Sequence, residues 1–289
     1  MVSFQIAVER GGAGRRRRPS HQTRAGGLLR APRQVAHRTV ANGKRIVRGQ
    51  SKRKDRILAI DLGGTHVKVL LYGESDERRA RSGPRMTPQE MVRAVRVLAR
   101  GWRYQCVSLG YPGVVFRGKI FVEPRNLGKG WVGFDFEGAF GCPVRVINDA
   151  AMQAIGDYEG GRLLFLGLGT GLGAALIFDR VLEPMELSHL PYKKGHTYEE
   201  YLGNAGLEKL GRKKWEHAVF DVTERLRAAL EVDCVVLGGG NALKLKKLPP
   251  GTRLGDNANA FTGAFRLWLE PGWVQPTPAS RARSRSDRK

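Results

Sequence analysis

Two short stretches place a glycine–threonine turn between apolar runs. They are Asp61-Leu-Gly63-Gly64-Thr65 within "RILAIDLGGTHVKVLLYG" (56–73) and Gly169-Thr170-Gly171 within "LLFLGLGTGLGAALIF" (163–178). Glycine in a turn leaves backbone N–H groups uncovered, and such groups form a concavity for anions. The threonine adds a hydroxyl donor, so two turns of this kind suit two neighbouring phosphates. The pattern is not a Walker loop, since no GxxxxGK[ST] occurs. Nor is it a dinucleotide fingerprint, because the glycines lie between strands rather than opening a helix. Asp61 ends its apolar run beside the first turn, where a carboxylate either caps the turn or holds Mg²⁺ through water. Asp149 follows "VRVI" and begins a helix. There it either caps that helix or acts as general base toward a hydroxyl nucleophile, oriented by Asn148. Glu186 and His189 in "ELSHLP" stand three apart and can share a helical face. "NLGKGW" pairs Asn126 with Trp131, an amide with an aromatic, as carbohydrate sites often do. Each of these features also has a plain structural reading as a cap, a hairpin or a surface contact.

The elements that must position these groups follow from pattern. The stretch 163–178 is too short and too glycine-rich to be a membrane helix, and its flanks are too apolar for a linker. It predicts two buried strands around a turn at Gly167–Gly173, with glycine supplying positive φ. Residues 56–73 repeat the plan, with a second strand at Val67–Tyr72. Thr87, Pro88 and Glu90 form a capping-box start, followed by one apolar face at Met91, Val95, Leu98 and Trp102. A strand at Cys106–Leu109 ends in "GYPGVV". The rest predicts a variable loop at 183–196, helices over 197–230, a strand at 234–240 and a last helix near 258–269. Strand–turn–strand followed by helix and strand occurs twice. The expected architecture is therefore two similar α/β lobes, 57–148 and 149–269, facing each other across a cleft.

The chain has 289 residues and 41% hydrophobic content, which fits a globular protein, and no window is long and apolar enough to span a bilayer. Its formal net charge of +23 is concentrated at the ends: +14 in 1–56 and +4 in 271–289, leaving +5 for 57–270. Both basic ends, 1–56 and 270–289, are expected to be disordered, since they lack apolar surface to offset chain entropy. The front segment reads as a polyanion-binding arm, as an organelle transit peptide, or as translated sequence ahead of the true start, the last being preferred. No secretory leader is evident. Cys106, Cys142 and Cys234 are isolated, without a CxxC, so neither zinc nor a disulfide framework is expected and a cytoplasmic setting is the default.

Seven motifs occur in one order: "DLGGT", "GYPGVV", "NLGKGW", "INDA", "GLGTGLGAAL", "ELSHLP" and "VVLGGG". In this the chain resembles ROK-family sugar kinases, with the polyphosphate glucokinases nearest in pattern, over about 57–269. The resemblance implies a two-lobed actin/hexokinase-like (ribonuclease-H-like) α/β fold. It implies transfer of a phosphoryl group from inorganic polyphosphate or ATP to the 6-hydroxyl of glucose, with Asp149 as base. Asn126, Asn148, Glu186 and His189 would bind the sugar. Gly63, Gly64, Thr65, Lys68, Gly169, Thr170 and Gly171 would hold donor phosphates, with Gly238, Gly239 and Gly240 lining the far side. Asp61 would sit near Mg²⁺. A homodimer is expected, with no membrane and no specific nucleic acid as partners. Many family members carry a cysteine-rich zinc loop after the histidine; this chain has "LPYKKGHTYEEYLGNAG" there, so no zinc is expected. Ser188 stands where the family has glycine, which bears on sugar affinity. Lysines such as Lys193, Lys194, Lys213 and Lys214 are candidates to track a polyphosphate chain, and equally read as solvated surface charges. An ATP-dependent hexose kinase is the alternative. A sugar-responsive regulator is disfavoured because 1–56 shows no helix-turn-helix periodicity.

Overall fold

The structure is a computed structural model that describes residues 56–270, Gly272 and Trp273. The expectations for the two basic ends fall outside these residues.

"ILAIDL" and "HVKVLL" form β1 (Ile57–Leu62) and β2 (His66–Leu71), and β2 alternates half-buried with buried positions as a half-covered strand must. β3 (Arg78–Arg81), β4 (Cys106–Tyr111) and, beyond the small hairpin β5 (Val115–Phe116)–β6 (Lys119–Ile120), β7 (Val144–Asn148) complete a sheet in the order β3-β2-β1-β4-β7. The second sheet comprises β8 (Arg162–Leu168), β9 (Leu172–Phe178), β10 (Val181–Met185), β11 (Cys234–Gly238) and β12 (Thr252–Leu254), in the order β10-β9-β8-β11-β12. In both sheets an antiparallel three-strand edge continues into parallel neighbours. The two sheets thus repeat one topology, strand for strand.

α1 (Pro88–Leu98) starts with both halves of the capping box between Thr87 and Glu90, and it buries Met91, Val92 and Val95. α2 (Phe136–Phe140) is short. α3 (Asp149–Asp157) and α7 (Asn259–Leu269) pack on one another and share a core with Ala59 and Ile147 of the first sheet and Phe165, Ala175 and Ile177 of the second. This close approach depends on small residues. A Cβ at Gly156 would collide with the Asn259 carbonyl oxygen, and one at Gly263 with that of Met152. α4 (Tyr198–Leu202), α5 (Asn204–Leu210) and α6 (Arg212–Leu230) cover the second sheet, with Trp215 wholly buried among Leu166, Val235 and Leu237.

Two expectations need correction. The segment predicted as a loop at 183–196 opens with strand β10, whose Pro184 is accommodated on a sheet edge where one face of the backbone goes unpaired. The glycine hairpin turns over three residues, 169–171, because Gly167 and Gly173 pair within the ladder. None of Gly63, Gly64, Gly169 or Gly171 has positive φ. Close approach accounts for Gly171, whose Cβ would overlap the Glu199 carboxylate, and for Gly173 beyond the turn, whose Cβ would stand 2.9 Å from Cβ of Ala150 in α3, while a Cβ on Gly169 would meet open space.

Candidate active site

Asp149 is the first residue of α3, directly after β7. Asn148, not Asp149, caps the helix: its Oδ1 accepts from Ala151 N–H at 3.0 Å. Its Nδ2 donates to the Gly113 carbonyl of "GYPGVV" at 3.0 Å, which ties the loop after β4 to the start of α3. The Asp149 carboxylate accepts from Ala150 N–H at 2.8 Å. Burial raises its pKa to about 7, and the neighbouring charges of Asp61 and Glu186 add to the rise. A carboxyl tuned to that range exchanges protons near neutral pH, as a general base must.

Asp61 lies in β1 across the ladder from Lys68 in β2, whose Nζ stands 3.5 Å from Oδ2. Burial raises the Asp61 pKa while Lys68 opposes it. The first turn, Gly63–Thr65, is closed by Gly63 N–H donating to the His66 carbonyl at 2.9 Å. Thr65 Oγ1 is exposed and lies 3.2 Å from His66 Nδ1. A Cβ on Gly64 would come within 3.1 Å of Cβ of Asn126, so the "NLGKGW" loop lies against this turn.

The second turn, Gly169–Gly171, is held by its carbonyls. Gly169 O accepts from Asn204 N–H at 3.0 Å and from Asn241 Nδ2 at 3.1 Å. Asn241 is buried, and its own N–H donates to Leu168 O at 2.9 Å. It therefore fastens the Gly238–Gly240 turn after β11 to the hairpin. Within that turn Gly239 takes a φ of 79°, and a Cβ there would collide with the Leu168 carbonyl. Glu186 precedes a one-turn 3₁₀ segment, Leu187–His189, that His189 ends, and both are exposed. The charge of Glu186 reaches Asp149, whereas among the described residues no hydrogen bond or ion pair joins His189 to it.

Two residues that pattern reading passed over complete the arrangement. Glu199 in α4 lies against Gly171, accepts from Leu172 N–H at 3.4 Å, and receives Arg125 Nη1 at 3.3 Å. Contacts thus run from the first turn through Asn126, Arg125 and Glu199 to the second turn, and on from Gly173 to Ala150 beside Asp149. These contacts join both glycine turns to the head of α3, where Asp149 stands. A cavity of about 440 Å³ lined by Tyr158, Arg180 and Arg266 lies at the opposite end of α3 and takes no part in these contacts.

Residues 57–183 match the ROK family. The chain is 28% identical over 214 residues to the polyphosphate glucokinase of Mycobacterium tuberculosis, covering 66% of this chain and 80% of that one. It is 26% identical over 220 residues to the polyphosphate glucokinase of Mycobacterium leprae, covering 68% and 67%. In fold it resembles the inorganic polyphosphate/ATP-glucomannokinase from an Arthrobacter strain, with a TM-score of 0.64 at 23% identity over 74% of this chain and 98% of that one. It likewise resembles a ROK family glucokinase from Streptomyces griseus solved with glucose and AMPPNP, with a TM-score of 0.59 at 16% identity over 74% and 99%. The actin/hexokinase-like architecture expected from the motifs is the one observed. The proteins named above are sugar kinases by name.

Proposed function

We propose, for a chain whose residues 57–183 match the ROK family, that it transfers a phosphoryl group from inorganic polyphosphate, or from ATP, to the 6-hydroxyl of glucose. One observation carries this reading above the others: a carboxyl poised near neutral pH at the head of α3, joined by contacts to two glycine–threonine turns. Asp149 takes the proton as the sugar O–H bond breaks. The sugar oxygen then bonds to phosphorus, and the bond from that phosphorus to the remaining donor breaks. Such a transfer needs little covalent chemistry from the protein; positioning and charge neutralisation suffice.

The Thr170 and Gly171 amides, with their carbonyl side tied to Asn204 and Asn241, face donor phosphate, as do Gly63–Thr65, Lys68 and the Gly238–Gly240 turn. Asn126, Asn148, Glu186 and His189 bind sugar hydroxyls. Glu199, which reaches the same cleft, offers one more acceptor. Burial raises the pKa of both Asp61 and Asp149, and the charge of Asp61 raises Asp149 further, a pair of carboxylates that fits a nearby divalent cation. Among the described residues no group of three or more His, Cys, Asp or Glu side chains is placed to hold a metal. Asp61 would therefore hold Mg²⁺ through water, and the ion would neutralise charge on the donor. The lobes 57–148 and 149–269 close on the sugar, and the enzyme works in the cytoplasm as a homodimer.

Product analysis tests this directly. Purified protein with glucose and Mg²⁺ should form glucose 6-phosphate when given polyphosphate, and the same assay with ATP ranks the donors. Glucose binding without product from either donor would instead mark a binding-only member of the family.

A further inference from the structure

Ser188 stands between Glu186 and His189 in the one-turn 3₁₀ segment. Its side chain is only 3% exposed, yet Glu186 beside it is exposed. Ser188 Oγ donates to Glu186 Oε2 at 3.3 Å. Glu186 is the cap of this segment, but its side chain makes no capping hydrogen bond, so the carboxylate is turned toward the serine rather than toward the backbone. Ser188 does not have left-handed backbone, so a side chain sits there without backbone strain. A carboxylate with one oxygen held by a buried hydroxyl loses rotamer freedom and presents its other oxygen in a fixed direction. The Glu186 charge also reaches Asp149, so this orientation is felt at the head of α3.

We propose that Ser188 is a positioning residue that fixes the Glu186 carboxylate for a sugar hydroxyl and thereby sets hexose affinity. The inference rests on the reading of Glu186 as a sugar-binding residue. It opposes the simpler idea that the serine side chain crowds the sugar. The two differ in sign: positioning predicts weaker binding when the hydroxyl is removed, whereas crowding predicts tighter binding when the side chain is trimmed.

The test measures kcat and KM for glucose, with the better donor saturating, for wild type, S188A and S188G, with thermal midpoints to confirm folding. S188C, close in size with a weak donor, is the reserve should either variant fail to fold. Losing one hydrogen bond to a charged group corresponds to about a tenfold rise in glucose KM, with kcat within about twofold. In an E186Q background, S188A should change KM by less than about twofold, because the partner is already altered. A KM that falls in S188G, stays level in S188A, or rises equally in both backgrounds overturns the proposal. A wild type that neither binds nor phosphorylates glucose overturns the parent reading instead, and is distinguishable because no variant is needed to see it.

Discussion

At the residue scale the site is a compromise between chemistry and stability. In the proposed reaction Asp149 must be ionised, while burial and the charge of Asp61 favour its neutral form. Its folded pKa, about 7, lies well above the ordinary aspartate value, so the native state holds this proton more tightly than the unfolded chain. The stability this proton contributes is complete below about pH 4 and is lost as pH rises through about 7. Replacing Asp149 by Asn removes the buried charge and keeps the shape. In the ligand-free protein at pH 8 the variant should melt about 3–10 °C higher than wild type, and the gap should vanish near pH 4. Differential scanning calorimetry across that range checks it; a variant less stable at pH 8 would contradict the pKa assignment.

At the level of elements, two contacts hold the second glycine turn where the proposed site needs it. Gly173 lets β9 pass against Ala150 in α3, and a methyl group at 2.9 Å has nowhere to go, since both positions are anchored in the backbone. Gly173→Ala should cost about 1–3 kcal/mol of stability, as overpacking does, and raise the donor KM by moving the second turn away from Asp149. Asn241→Ala removes bonds to Gly169 O and to Asn204 Oδ1, which is 2.7 Å away; about 1–3 kcal/mol should be lost, read by urea unfolding. These contacts also mark what pattern could reach. The duplicated hairpins, the capping box of α1 and the β7–α3 junction were legible because their signals are local. β3 was not, because "RRAR" lacks an apolar alternation and earns its place only by pairing with β2. β10 was hidden by Pro184 inside a charged stretch. Arg125, Glu199 and Asn241 gave no signal, for their partners lie 74, 27 and 72 residues away along the chain. The expected positive φ at the turns is not found, and at Gly64 and Gly171 close approach selects glycine instead.

On the scale of the molecule, the two sheets repeat one strand order and clasp α3 and α7 between them. Asp149 thus stands at the first residue of a helix that packs against both sheets. Among the described residues no helix is long and apolar enough to cross a membrane. The formal charge of +23 matters most for a polyanionic donor. Raising salt from about 50 to 300 mM shortens the Debye length to below about 10 Å, and the KM for polyphosphate should rise severalfold while that for glucose stays nearly constant. Removing residues 1–55 should leave glucose kinetics unchanged; any loss of salt sensitivity in the truncated protein would assign part of the donor attraction to the basic segment. Steady-state rates at several ionic strengths distinguish these outcomes.

The central claim is that Asp149 carries the proton from the sugar hydroxyl. Its most direct test is kcat for glucose 6-phosphate formation as a function of pH in wild type and Asp149→Asn. The account predicts a wild-type acid limb falling below about pH 7 and a variant about 10²–10⁴ slower, with the limb gone and the fold intact. A variant that turns over at the wild-type rate, or that keeps the same acid limb, would contradict it.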